Sequence, residues 1–128
     1  MGNELSEGLR RFIKQYITSL EQLEILLLLY EEPDRPWTIE GVYKVTQTNH
    51  ASVAERLKTL AASGLVIAEG TDHPIFRFRP GPTELTRRIS ELQKAYTLSK
   101  YKVVEAIFSA PRDQAQKFAD SFKIRRKE

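Results

Sequence analysis

Apolar residues recur at helical spacing along most of the chain and alternate like a strand at one place. Leu5, Leu9, Phe12, Ile13, Tyr16 and Ile17 follow one another at steps of one, three and four, which predicts a helix within residues 1–18. The next stretch, TSLEQLEILLLLYEEP, offers Thr18 with Glu21, or Ser19 with Gln22, as a capping box. Residues 20–30 are then apolar on nearly every side, the pattern of a helix buried all round. Pro33 and Pro36 end it. Thr38 suits the N-cap of a short helix whose apolar face is Ile39, Val42, Tyr43 and Val45, with Gly41 weakening it by about 1 kcal/mol relative to alanine. TQTN supplies turn residues, and Asn49 is the expected cap of the helix that follows.

That helix, HASVAERLKTLAASGLV, places Val53, Leu57 and Leu60 on one stripe, flanked by Ala54 and Ala61. Gly64 is the expected left-handed residue at its end. LVIAEG reads as a strand and TDHP as a turn. In IFRFRP, Phe76 and Phe78 point one way and Ile75, Arg77 and Arg79 the other, so the two strands form a hairpin. In residues 83–109, Leu85, Ile89, Leu92, Tyr96, Ser99, Val103 and Ala106 alternate spacings of four and three. This predicts one helix about 37 Å long, capped by Thr83 and stopped before Pro111. Residues 112–124, with Ala115, Phe118, Ala119 and Phe122, predict a last helix before a basic RRKE tail. The expected fold class is mainly α with a small β-hairpin (α+β), in one domain spanning residues 1–128.

Helix, tight turn, helix and hairpin form the winged helix-turn-helix arrangement, here within residues 19–80. The chain resembles the winged-helix transcriptional regulators of the MarR and PadR type. The residues that carry the resemblance are Thr38, Glu40, Val42, Val45, Val53, Leu57, Leu60, Gly64, Leu65 and Val66, including the pattern L-x-x-L-x-x-x-G-L-V over 57–66. It departs from the MarR pattern after the wing. There Asp72 is followed by His73 and Pro74, and RPGPTEL replaces a Leu-Thr run into the next helix. The resemblance implies a homodimer built by the outer helices, with two recognition helices in successive major grooves. It also implies small-molecule effectors in some members, and no residue here specifies one.

Composition narrows the chemistry. The chain has 128 residues, enough for one core, and no cysteine, which excludes disulfides and thiolate metal sites. His50 and His73 lack ligand spacing, so neither a metal nor any other cofactor is expected. No carboxylate pair, nucleophile with a base, or glycine-rich phosphate loop stands out, so an enzyme is not expected. The longest apolar run, residues 25–30, is far too short to span a membrane, and a cytoplasmic location is expected. Charge is uneven: residues 1–48 hold 5 Lys/Arg against 8 Asp/Glu, whereas residues 49–128 hold 15 against 9. A basic second half suits a polyanionic partner such as double-stranded DNA.

The helical projection of residues 50–62 turns Ala51, Ser52, Glu55, Lys58, Thr59 and Ala62 away from the buried stripe, with His50 and Arg56 on the flanks. The candidate DNA contacts are therefore His50, Ser52, Glu55, Arg56, Lys58 and Thr59, with Arg77 and Arg79 on the wing. The candidate dimer interface is the long helix with Leu92, Tyr96, Val103 and Ile107, joined by Phe12 and Tyr16 of the first helix. The function expected is a transcriptional regulator acting as a homodimer on a pseudo-palindromic operator. The alternative is a winged helix used for protein–protein contact, with little DNA affinity, because Glu55 stands in the middle of a thinly charged face.

Overall fold

The computed structural model describes residues 5–79 and 81–109. Helix α1 spans Glu7–Tyr16, and Ser6 caps it by accepting a hydrogen bond from the Leu9 amide at 3.1 Å. It buries Leu9, Phe12 and Ile13. Helix α2, Leu20–Glu31, starts with the second of the two capping pairs. The Ser19 hydroxyl accepts from the Gln22 amide, and the Gln22 side-chain oxygen accepts from the Thr18 amide and hydroxyl. Buried leucines and isoleucine on several faces of α2 make it the centre of the core, as its all-round apolar sequence requires.

Asp34, with φ +71°, turns the chain after α2. Trp37 then exchanges two backbone hydrogen bonds of 2.8 Å with Phe76, so a third extended segment joins the hairpin as a single bridge. Helix α3, Ile39–Thr46, is capped by Thr38, and Gln47 ends it in the left-handed region at φ +54°. Helix α4, His50–Ala62, is capped by Asn49, which accepts from the Ser52 amide at 2.9 Å. It ends in a Schellman motif: Leu65 N–H donates to the Leu60 carbonyl and Gly64 N–H to the Ala61 carbonyl, both at 3.1 Å, with Gly64 at φ +87°.

Strands β1, Val66–Glu69, and β2, Ile75–Phe78, pair antiparallel with Val66 opposite Phe78 and Glu69 opposite Ile75. Phe76 and Phe78 point into the core against α2, where Phe78 meets Tyr30 edge-on at 5.2 Å. Mostly helical with one two-stranded hairpin, this is the expected fold class.

The C-terminal half departs from expectation. Residues 83–109 form two helices, α5 over Thr83–Leu98 and α6 over Lys100–Ser109, because the chain breaks at Ser99 with φ −145° and ψ 62°. Helix α6 packs against α1 and against α5, burying Val103 and Ile107. The four-and-three spacing runs unbroken through the corner because both helices face the same core. Thr83 is the first helical residue, and Pro82 stands at the cap without a side-chain bond. The expected helix over 112–124 and the RRKE tail lie outside the described residues.

The residues expected at the dimer interface take these places in a single protomer. Phe12, Leu92, Val103 and Ile107 belong to the core of a single protomer, between α1, α5 and α6. Tyr16 stacks obliquely on Phe12 at 4.8 Å. Tyr96 donates from its hydroxyl to Glu24 at 2.8 Å. The large apolar side chains left open at this end are instead Leu98, Tyr101 and Phe108.

Candidate nucleic-acid interface

Helix α4 is held at three sides, and what remains sets the outward face. Val53, Leu57 and Leu60 fill the core side. On the side toward α2, Ser52 and Arg56 turn to Glu21 in the first turn of α2. Ser52 Oγ donates to Glu21 Oε1, Arg56 Nε donates to the same oxygen at 3.2 Å, and Thr48 Oγ1 donates to Oε2 at 2.6 Å. Burial alone raises the pKa of Glu21, but the hydrogen bonds from Ser52, Thr48 and Arg56 outweigh it and hold the carboxyl below its ordinary value. On the side toward α3, His50 Nε2 bonds Glu40 Oε1 at 2.5 Å, and its ring packs on Tyr43 at 4.8 Å.

Ala51, Glu55, Lys58 and Ala62 are exposed on the open side of α4, with Thr59 half-buried beside them and His50 exposed at the flank. Among the described residues Glu55 and Lys58 have no partner, so they set the charge of this face. Ser52 and Arg56, expected outward or flanking, are drawn toward α2.

The wing arginines are engaged as well. Arg79 donates to the Asp34 carboxylate at 2.8 and 3.2 Å. Arg77 donates to the Asp34 carbonyl at 3.0 Å and to Glu69 at 3.4 Å. Both lie at the base of a short wing, whose tip carries Asp72, His73 and Pro74. Between that tip and the starts of α3 and α4 lies an open cleft of about 640 Å³, lined by Ile39, Glu40, His50, Ala54, Asp72 and His73 among others. No group of histidines and carboxylates among the described residues is arranged to hold a metal ion. No helix among them is long and apolar enough to cross a membrane.

A helix-turn-helix whose second helix stands on the surface, followed by a hairpin bridged to the segment before α3, defines a winged-helix fold. No family model matches the chain, and no curated protein matches it significantly. The similarity lies in solved structures. A complex of Staphylococcus aureus MepR with DNA matches over 89% of this chain and 83% of that one, at 15% identity and a TM-score of 0.54. BpsR of Bordetella bronchiseptica, in a study of how 6-hydroxynicotinic acid regulates its DNA binding, matches over 94% and 84%, at 15% identity and 0.52. The adhesin competence repressor AdcR of Streptococcus pyogenes matches over 86% and 78%, at 16% identity and 0.51. These proteins are winged-helix transcriptional regulators, and this chain shares their fold.

Proposed function

We propose that the protein is a cytoplasmic, non-enzymatic transcriptional regulator that binds double-stranded DNA as a homodimer on a pseudo-palindromic operator. The observation that supports this most is α4, capped at both ends, held on the sides of the core, α2 and α3 and open on the side that remains. A helix held in this way suits insertion into a major groove. MepR, which shares the fold, is known in a complex with DNA. In this reading Lys58 contacts phosphate, Thr59 and His50 border the groove, and Glu55 accepts from a cytosine amino group. Arg77 and Arg79 reach phosphate by exchanging their contacts at Asp34.

The second copy meets the first at the corner of α5 and α6. Leu98, Tyr101 and Phe108 are 82%, 74% and 72% exposed there. Soluble monomers seldom leave such a group of large apolar side chains open, and a two-fold axis covers the patch with itself. Pairing would set the two α4 helices for half-sites about one helical turn apart.

The test is binding to a mixed-sequence duplex over a salt series. The logarithm of affinity should fall linearly with the logarithm of salt as counterions are released. A dimer with no salt-dependent DNA binding would instead favour the second reading, a protein–protein module. The observation behind that reading is that Arg56, Arg77 and Arg79 are each bonded to a carboxylate of the chain, while Glu55 lies open on α4.

A further inference from the structure

We infer that Glu21 is a positioning residue that seats the α2-facing flank of α4 and keeps Arg56 from acting as a DNA-binding cation. This rests on the reading that the outward face of α4 meets DNA. Three donors from separate places converge on one carboxylate: Thr48 in the turn before α4, Ser52 in its first turn and Arg56 in its second. The arrangement is sheltered. The side chains of Arg56 and Glu21 are 32% and 18% exposed, against 73% and 84% for the ordinary surface pair Arg11–Glu7. Glu21 also lies in the first turn of α2, where the helix dipole favours an anion. The bonds it accepts keep it ionised through neutral pH.

Two consequences follow from this geometry. The first is orientation: Thr48, Ser52 and Arg56 fix the rotation of α4 about its own axis relative to α2, and so decide which residues face outward. The second is charge. A guanidinium already neutralised by a carboxylate gains little from a phosphate and releases no counterion for it. Helix α4 therefore offers DNA one cation fewer than its sequence carries. Loss of the Glu21 charge should free Arg56 and add one phosphate contact.

The experiment measures affinity for a mixed-sequence duplex against salt for the full chain, Glu21→Gln, Arg56→Ala, the double variant and Glu55→Gln. Glutamine keeps an oxygen for Thr48 and Ser52, and thermal melts check that each variant is folded. Glu21→Gln frees one Arg56 in each protomer, so with both α4 helices of a dimer on the duplex it should steepen the salt slope by about 1.8, and its advantage over the full chain grows roughly 12-fold between about 200 mM and about 50 mM salt. Arg56→Ala alone should leave the slope unchanged, and in the double variant it should remove the gain. Glu55→Gln removes a charge that pairs with no cation among the described residues, so it should shift affinity without steepening the slope.

A salt-dependent full chain with an unsteepened Glu21→Gln slope overturns the role of Glu21 alone. A full chain without salt-dependent binding overturns the DNA reading itself. Should Glu21→Gln not fold, Arg56→Ala decides: a slope equal to that of the full chain supports the inference, and one shallower by about 1.8, two contacts per dimer, overturns it.

Discussion

Leu57 links the apolar pattern to the core through one side chain, fully buried on the inner face of α4. Leu57→Ala should cost about 2–5 kcal/mol in urea denaturation, from lost transfer energy and the cavity left behind. A loss below about 0.5 kcal/mol would mean that the stripe does not face the core. A second residue-scale prediction concerns Tyr96. Burial, aided by the hydrogen bond and charge of Glu24, pushes its pKa up to about 12 from an ordinary 10.0. Between those values the folded protein keeps a proton that the unfolded chain releases, so the contribution of Tyr96 to stability is present below pH 10 and fades toward pH 12. The stability gap between the native protein and Tyr96→Phe should therefore shrink across that window, and Glu24→Gln should make the loss smaller and end it at a lower pH. At this scale, local chemistry was legible in the sequence. Ser19, Thr38 and Asn49 cap the helices they precede, and Phe76 and Phe78 face inward as their alternation implied. The bonds of Arg56 to Glu21 and of Arg79 to Asp34 were not legible. They join residues 35 and 45 positions apart, and only the packed fold brings them together.

At the scale of elements, the end of α4 shows what a local signal can specify. Gly64 was expected to close the helix, and it does so at φ +87° with no atom near the position of an added Cβ. Gly64→Ala therefore meets backbone strain without a clash. It should cost about 1–2 kcal/mol, the usual penalty of a left-handed conformation for an L-residue. A chemical melt reads the change, and a larger loss would point to a steric contact that this geometry lacks. The break at Ser99 shows the opposite limit. Apolar spacing reports which face is buried, not whether the axis stays straight, so a helix pair that keeps its phase through a corner reads as one rod. What bends the chain is tertiary: α6 finds the apolar side of α1, and Val103 and Ile107 are buried there. The outward face of α4 was legible in outline for the same reason that its core stripe was. Its flanks were not, because their orientation depends on Glu21 of α2 and Glu40 of α3.

For the whole molecule, the break changes which residues can join two copies. A straight rod would leave part of its apolar side bare, and Val103 would lie on the seam between protomers. With the helix broken at Ser99, Val103 is fully buried within one chain, whereas Tyr101 and Phe108 stand on the outer side of the same helix, seven residues and two turns apart. The two placements give opposite outcomes for two sets of variants. If the corner of α5 and α6 is the interface, Tyr101→Glu with Phe108→Glu should lower the mass seen in sedimentation equilibrium at micromolar concentration from about two chains to one. The thermal melt of each protomer should change little, because both side chains are already in water there. Val103→Glu should do the reverse. It places an unpaired carboxylate among α1, α5 and α6, so it should lower the melting temperature first and reduce association only as the protomer unfolds. A folded, stable Val103→Glu monomer would return the interface to the residues inside the corner and would mean that α6 swings away from α1 when two copies meet. A native protein that sediments as a single chain at that concentration would remove the dimer, and with it the spacing of two recognition helices on a two-fold operator.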